Sequence, residues 1–223
     1  KIIVDYLNEE GNYDNTVIIY TGDQGYYLGE QDYFDKRWMY EEGMRMPFFI
    51  SYPKIIKEAG RQDLLINNTD FAPTMIELAG GEVPDFMQGK SFKRTLEGKT
   101  EKDWRTETYY RYWMHMAHYL GNPGHFGIRT LKYKLIFFYG VDYKDPPRTD
   151  YWGSQADIVT PPGWELYDLE EDPKEMNNLY GKAEYAEVIA DLKLRLARAR
   201  SELNETDANY PHIQAIIDKH WDE

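Results

Sequence analysis

A β-branched run that ends in a glycine-flanked polar loop is the feature that most restricts how this chain can fold. The run, residues 16–20, reads TVIIY and has the composition of a buried strand. Apolar residues at positions 2–7 have helical spacing, and the loop at 21–25 reads TGDQG. A helix, a strand and a polar loop in this order are typical of α/β folds, in which functional groups sit at the C-terminal ends of strands.

The next hundred residues continue this pattern. Residues 47–52, PFFISY, predict a second strand. The sequence NTD at 68–70 predicts the cap of a helix over 71–79, which a pair of glycines ends. We therefore expect residues 1–103 to form the C-terminal portion of a large mixed-sheet α/β domain.

The character of the chain changes at about Trp104. Four short segments predict antiparallel strands, and residues 139–162, rich in Pro, Gly and Asp, predict a long loop. An amphipathic pattern predicts a helix over 183–203. We expect residues 104–223 to form a small antiparallel sheet with the C-terminal helix packed on it. The predicted strands are residues 106–111, 126–130, 133–138 and 164–168.

The composition excludes several classes of protein. The net charge is −13, whereas a general nucleic-acid binder needs a basic face. The absence of cysteine excludes disulfides, Cys-based metal sites and a Cys-derived nucleophile within this stretch. No apolar run is long enough for a membrane span, and because the chain enters a helical pattern at Lys1 we expect it to be a fragment.

Two adjacent oxygen-bearing side chains, Asp23 and Gln24, follow the first predicted strand. Gly22 and Gly25 beside them allow a tight backbone path. A hard cation such as calcium needs several such oxygens, so further ligands have to come from elsewhere. Taken alone, an Asp-Gln pair is most simply interpreted as an ordinary turn. The residues that follow favour a metal-binding loop instead.

A series of short motifs follows this loop. Residues 28–30 read LGE, Lys36 stands four residues before Tyr40-Glu41, and residues 45–47 read RMP. The run resembles the pattern of formylglycine-dependent (type I) sulfatases of the alkaline-phosphatase-like superfamily. In these enzymes a T-S-D-H/N-G loop precedes L-G-E, K-x-x-x-Y-E and R-V-P.

The resemblance continues in family order as far as residue 179. Four later blocks resemble the family's N-x-D-L-A-P-T, M-Q-G-R-S, R-T-x-R-Y-K-L-I and E-L-Y-D-L-x-x-D-P-x-E-x-x-N-L segments. So many blocks in order make chance agreement an unreasonable explanation, and the chain resembles the C-terminal part of such a sulfatase. The blocks are residues 68–74 (NTDFAPT), 87–91 (MQGKS), 129–136 (RTLKYKLI) and 165–179 (ELYDLEEDPKEMNNL).

The resemblance implies a specific chemistry. In such sulfatases a Cys or Ser oxidised to formylglycine attacks the sulfate ester as its hydrate, while Ca²⁺ holds the sulfate oxygens. The nucleophile and an early Asp pair of calcium ligands belong to the N-terminal part, which we expect to be missing here. Asp23 matches the third carboxylate ligand, Gln24 the fourth position, and Lys36 the lysine that contacts the sulfate and the leaving oxygen.

Gln24 and Lys36 each have a side chain that suits the role implied by the resemblance. Gln24 stands where Asn or His is usual, and its amide oxygen can serve calcium as Asn does, through a longer arm. A cation at Lys36 would stabilise the charge that develops on the ester oxygen. Without the motif, the simplest interpretation of Lys36 is an exposed surface lysine without a function in catalysis. Glu41 and Arg45 are four apart, as a pair on one turn would be, and we interpret them as architectural.

Three histidines, His115, His118 and His125, fall close together. Their functional interpretation is substrate contact, because in sulfatases this subdomain helps to form one wall of the pocket. The alternatives are ordinary buried or exposed histidines and, for H-x-x-H, a transition-metal site. His125 begins HFGIRT, which resembles the H-x-G-I-R-T of sulfatases acting on sugar sulfates, and is therefore the preferred contact.

The leading hypothesis is a sulfatase for sulfated sugars, such as 6-sulfated N-acetylglucosamine or another glycosaminoglycan unit. A phosphodiester or phosphonate monoester hydrolase of the same superfamily is the first alternative, and a catalytically silent carbohydrate-binding relative is the second. The expected partners are the sulfated carbohydrate and the missing N-terminal part. Sulfatases of this kind suggest a periplasmic, lysosomal or secreted location, and the chain alone should not release sulfate.

Overall fold

The computed structural model describes residues 1–223, and the chain forms two compact units. One unit combines residues 1–25 with 45–105, and the other combines 26–44 with 106–223. The predicted α/β class, with a small antiparallel sheet and a C-terminal helix, is confirmed. The sequence did not indicate that residues 26–44 pack with the second unit.

Six α-helices and eight strands, numbered in chain order, make up the two units. The strands and helices predicted from the sequence are present, within a few residues. The helices are α1 (Ile2–Glu9), α2 (Glu41–Met44), α3 (Phe71–Leu78), α4 (Lys93–Leu96), α5 (Ala186–Glu202) and α6 (Pro211–His220). The strands are β1 (Ile18–Thr21), β2 (Tyr27–Leu28), β3 (Phe34–Asp35), β4 (Phe48–Ser51), β5 (Glu107–Tyr112), β6 (His125–Thr130), β7 (Tyr133–Phe138) and β8 (Gly163–Asp168).

The first unit is organised around a buried carboxylate at the start of α3. Asp70 accepts hydrogen bonds from the backbone N–H groups of Asn67 and Lys90, both at 2.7 Å. The same carboxylate pairs with the Arg105 guanidinium, with one N–O distance of 2.8 Å. A charge buried in this way needs such partners, so Asp70 joins three separate stretches of the unit.

The sheet of the first unit leaves apolar side chains in solvent. Strands β1 and β4 form an antiparallel pair, on which Tyr20 and Phe49 are 67% and 66% exposed. Ile2 and Ile3 on α1 are also largely exposed. A two-stranded sheet is marginally stable by itself, so this unit carries an apolar surface that further elements can cover.

The second unit contains a four-stranded antiparallel sheet with the strand order β5-β6-β7-β8, and β2 and β3 pair as a separate two-stranded sheet. Successive side chains along each strand point to opposite faces, and both faces are buried. One face packs on α5 and α6, and residues 38–44 cover the other. The first core includes Phe126, Ile128, Leu135, Phe137, Leu192, Leu196, Ile213 and Ile217. The second core consists of Met39, Ile136, Phe138 and Tyr167.

Gly127 on β6 lies directly beneath Met39. A Cβ at this position would overlap the Leu135 carbonyl oxygen, and it would stand 2.6 Å from the Met39 Sδ and 3.1 Å from the Ile136 Cα. We expect Gly127→Ala to lower the unfolding free energy of the intact protein by about 1–3 kcal/mol, as overpacking does in cores. Gly163→Ala is the matched control, because a Cβ on this β8 residue has no neighbour within 4 Å. Equal melting temperatures for the two variants would contradict the close packing of Leu135 and Met39 around Gly127.

Candidate functional site

The loop after β1, in the first unit, carries the two predicted metal ligands. Asp23 is exposed and Gln24 is half-buried. Asn68 Nδ2 donates a hydrogen bond to the Asp23 carbonyl oxygen at 3.1 Å, which ties the loop to the start of α3. Gly22 permits the tight path, since a Cβ there would stand 3.1 Å from the Gln24 carbonyl oxygen. The backbone is therefore held while both side chains remain accessible.

The donor set of this loop fits part of a site for a hard cation. Carboxylate and amide oxygens are ligands of the type that calcium prefers, and the ion takes about six to eight oxygens. Asp23 and Gln24 supply two side chains, and the chain contains no group of three or more His, Cys, Asp or Glu residues that could hold a metal ion. The remaining ligands of such an ion would have to come from elsewhere.

Lys36 lies in the second unit, directly after β3. Its side chain is half-buried, and its ammonium makes no ion pair. The neighbouring Arg37, in contrast, has partners. Its guanidinium pairs with Asp35, and its carbonyl oxygen accepts a hydrogen bond from the Tyr110 hydroxyl at 3.0 Å. The segment is thus held by its neighbours while Lys36 keeps a free positive charge.

A buried charge cluster attaches α2 to the sheet. The Glu41 carboxylate lies 3.0 Å from both the Arg129 guanidinium and the Lys134 ammonium. Lys134 is fully buried and also lies 2.7 Å from the Glu175 carboxylate, which accepts the Glu41 backbone N–H at 2.6 Å. Glu41 is architectural, as predicted, but its partners are these residues on the sheet rather than Arg45.

Burial and ion pairing act in opposite directions on the two carboxyls of this cluster. Burial by itself raises the pKa of Glu41, but Lys134 and Arg129 outweigh it and lower the pKa to about 2. Burial also raises the pKa of Glu175, and Lys134 offsets only part of that effect. Glu41 is therefore the carboxylate that the cluster holds ionised most strongly.

The stability of the intact protein should depend on the ionisation of Glu41. Its folded pKa lies below the reference value of 4.5, so its contribution is present above pH 4.5 and is lost as the pH falls towards about 2. We expect Glu41→Gln to cost on the order of 2 kcal/mol at pH 7. Urea unfolding across this pH range should show the difference from wild type shrinking. A difference that stays constant down to pH 3 would contradict the ion-paired state.

Trp38 connects the segment that carries Lys36 to His125. The indole stacks on the His125 ring and on the Tyr40 ring, with centroid distances of 5.8 Å in both cases. The Tyr40 hydroxyl donates a hydrogen bond to Glu165 at 2.8 Å, which holds the stack on the sheet. The position of Lys36 is therefore coupled to His125 through a ring two residues further along the chain.

The burial of His125 opposes its predicted contact with substrate. The ring is fully buried, and its Nδ1–H donates to the Pro123 carbonyl oxygen at 2.8 Å. Burial lowers the pKa of His125 to about 4, so the ring is neutral at pH 7 and Nε2 is an acceptor without a partner. Because no ring atom reaches solvent, His125 supports Trp38 rather than facing a ligand.

The other two histidines differ from each other. His115 is fully buried, its Nδ1 accepts the Gly124 N–H at 2.9 Å, and its Nε2 donates to the Ile158 carbonyl oxygen at 2.6 Å. It has no nitrogen left for a substrate or a metal, which opposes the predicted contact. His118 is half-buried beside Trp152 and is the histidine that solvent reaches.

The structure thus separates the predicted site residues into two groups. Asp23 and Gln24 lie in the first unit, whereas Lys36 and the histidines lie in the second. The charge cluster on α2 and the Trp38 stack were not predicted. One signal for the cluster was present, because Lys134 stands within the apolar strand YKLIFF, where a charge needs a buried partner.

One family model matches most of this chain. The model of the N-sulphoglucosamine sulphohydrolase C-terminal region matches residues 29–146 and 155–202. An N-acetylglucosamine-6-O-sulfatase of Bacteroides thetaiotaomicron is 44% identical over 92% of this chain and 34% of its own length. An arylsulfatase of Clostridium perfringens is 31% identical over 91% of this chain and 38% of its own length.

A solved structure agrees with these relatives. BT4656, in complex with its substrate D-glucosamine-2-N,6-O-disulfate, has a TM-score of 0.79 and 43% sequence identity to this chain. The match covers 92% of this chain and 38% of that chain. This chain therefore spans little more than a third of the length of the relatives that it matches.

Proposed function

The chain belongs to the N-sulphoglucosamine sulphohydrolase C-terminal family, and on that basis we propose that it is part of a sulfuric ester hydrolase for sulfated sugars. The proposed substrate is 6-sulfated N-acetylglucosamine or another glycosaminoglycan unit, which the similarity to an N-acetylglucosamine-6-O-sulfatase supports. The observation that carries the proposal is the unpaired ammonium of Lys36, on a segment fixed by buried ion pairs.

The site residues have separate tasks in this proposal. Asp23 and Gln24 supply two oxygen ligands for calcium. A calcium ion held there would offset the charge of the sulfate oxygens, and a formylglycine outside residues 1–223 would supply the nucleophile. Lys36 places positive charge where the leaving oxygen becomes negative as its bond to sulfur breaks. Because the segment is already anchored, little reorganisation is needed when that charge develops.

The histidines divide in the same proposal according to their exposure. We assign substrate contact to His118, because it is the one of the three that solvent reaches. His125 acts through Trp38 as a positioning residue, and His115 joins the two loops that contain Gly124 and Ile158.

The domain organisation is proposed together with the function. Residues 1–103 contribute to the catalytic α/β domain and 104–223 to the smaller subdomain, apart from 26–44, which pack with the latter. The remainder of the same protein is the proposed partner of the exposed apolar surface on β1, β4 and α1. No helix of the chain is both long and apolar enough to cross a bilayer. A periplasmic, lysosomal or secreted location is proposed from the family resemblance alone.

The test is an assay of the intact protein with its nucleophile matured. Sulfate release from 6-sulfated N-acetylglucosamine, abolished by a chelator and restored by calcium, is the expected result. Cleavage of a phosphodiester without sulfate release would favour the related hydrolase, although the amide of Gln24 is a poor ligand for the transition metals of such enzymes. Turnover of neither substrate, with binding to a sulfated-glycan array, would favour the silent carbohydrate-binding relative.

A further inference from the structure

The exposed Trp152 and Tyr119 and the half-buried His118 form an aromatic platform in the second unit. Trp152 and Tyr119 are 74% and 67% exposed, and their rings meet edge to face at 5.6 Å. The His118 ring lies 5.9 Å from the Trp152 ring with an interplanar angle of 31°. Large rings left in water are unfavourable unless something covers them, so this platform has the character of a binding surface.

The backbone beneath the platform is tightly held. The Tyr119 N–H donates to the Gly153 carbonyl oxygen at 2.9 Å, and the Gln155 N–H donates to the Met116 carbonyl oxygen at 3.0 Å. Gly153 has a φ of +69°, and a Cβ on it would stand 2.7 Å from the His118 Cα. The two loops that carry the rings are therefore joined at a distance that only glycine allows.

Three residues of this region adopt left-handed backbone conformations although they carry side chains. Met116, His118 and Tyr119 have φ values of 50°, 58° and 59°. Such conformations are costly and persist only where the surrounding structure enforces them, which is commonly at binding sites. The platform is therefore preorganised, and little conformational entropy is lost when a ligand covers it.

The platform extends from the sheet end to which the Lys36 segment is attached. The loops at 113–124 and 139–162, which carry the platform, both leave this end. Trp38, two residues after Lys36, stacks on His125 in the last row of the sheet. The residues paired across this row are Tyr112, His125, Phe138 and Gly163.

We propose that the platform binds an unsulfated pyranose unit of the substrate glycan, next to the sulfated unit that reacts, an assignment that rests on the proposed sulfatase function. The C–H face of a pyranose ring matches an exposed indole, and its hydroxyls match the polar tips of Tyr119 and His118. Asp150 is exposed two residues before Trp152 and disfavours a second sulfate there. The two exposed rings, Trp152 and Tyr119, offer far less area than the roughly 800 Å² that each partner buries in a stable protein interface, which disfavours a protein as the ligand.

Steady-state kinetics of the intact protein with two substrates test this binding site. One substrate is the 6-sulfated N-acetylglucosamine monosaccharide. The other is a tetrasaccharide with that unit at its non-reducing end and unsulfated N-acetyllactosamine units behind it. Trp152→Ala is expected to raise KM for the tetrasaccharide about tenfold, with kcat and the KM for the monosaccharide unchanged. Trp152→Phe should retain part of the affinity.

Leu131→Ala is the matched control. Leu131 is 57% exposed in the turn between β6 and β7, at the opposite end of the same sheet, and its loss should leave both KM values unchanged. Equal KM values for wild type and Trp152→Ala with the tetrasaccharide would overturn the proposal. A lowered melting temperature without a change in KM would also overturn it, because it would mean that protein covers the platform.

The design separates this proposal from the proposed function. If neither substrate is hydrolysed, the sulfatase assignment fails. Calorimetric titration of the tetrasaccharide into wild type and Trp152→Ala then tests whether the platform binds the glycan. About tenfold weaker binding to the variant would support it. Equal binding, or binding to neither protein, would reject it.

Discussion

Replacing Lys36 by alanine should lower kcat for sulfate release by roughly 10²–10³-fold, the loss caused by removing one preorganised electrostatic donor from an active site. Lys36 is half-buried and its ammonium is unpaired, so the substitution breaks no ion pair and should leave folding nearly unchanged. Because the positive charge acts on charge that develops in the transition state, kcat and kcat/KM should fall together. Steady-state assays of the intact protein with 6-sulfated N-acetylglucosamine measure both quantities.

Two further variants make this result specific. Lys36→Arg keeps the charge but changes its shape and hydration, so partial activity is expected. Lys174→Ala removes a lysine whose side chain is 69% exposed and which pairs with Glu42 at 3.3 Å, and it should leave kcat unchanged. If Lys36→Ala kept wild-type kcat, Lys36 would be an ordinary surface lysine despite its place in the motif.

Replacing Lys134 by methionine should destabilise the intact protein by about 3–5 kcal/mol, which is the cost of breaking a buried ion pair by removing one partner. Lys134 is fully buried, with Glu41 at 3.0 Å and Glu175 at 2.7 Å. Methionine preserves much of the volume but leaves Glu175 without its counter-charge. Denaturant unfolding of the intact variant measures the loss, and Glu175→Gln in the same background should recover part of it.

Lys132→Met is the matched control two residues earlier in the chain. The Lys132 side chain is 41% exposed and lies 3.1 Å from Glu170 and 3.5 Å from Asp168. Solvent-exposed pairs contribute about 0–1 kcal/mol, so this variant should be nearly as stable as wild type. Similar losses for the two variants would show that burial of Lys134 does not set its contribution.

The two expected results are connected through α2. The same charge cluster that contains Lys134 attaches Glu41, five residues after Lys36, to the sheet. A reduced kcat for Lys134→Met, at temperatures where the variant remains folded, would show that the sheet positions Lys36. An unchanged kcat would restrict the cluster to a role in stability.

Several elements could be predicted because their signals are local. Strands β1 and β4 come from β-branched and aromatic runs, and β5 to β8 from short apolar segments between turn residues. Strands β2 and β3 are two residues long, which is too short for any alternation to be recognised. Helix α6 buries only Ile213 and Ile217, so its apolar period was too weak to indicate a helix beyond residue 203.

The candidate site shows the same division. Asp23, Gln24 and Lys36 were recognised because each stands in a short motif whose spacing is visible along the chain. The exposure of the histidines was not visible, since His115, His118 and His125 occupy similar polar, glycine-containing sequence and yet only His118 reaches solvent. Burial depends on loops that are distant in sequence.

By itself the sequence determined the family, most of the strand and helix segments, and the residues that carry charge or oxygen to the proposed site. These depend on residue types at short spacing. Only the tertiary structure decided that residues 26–44 belong to the second unit, that residues 38–44 cover its sheet, and that Lys134 joins Glu41 to Glu175. It alone also placed Trp152 beside Tyr119. The physical reason is that these contacts join residues far apart in the chain, and they form only when a buried charge or ring finds its partner across the fold.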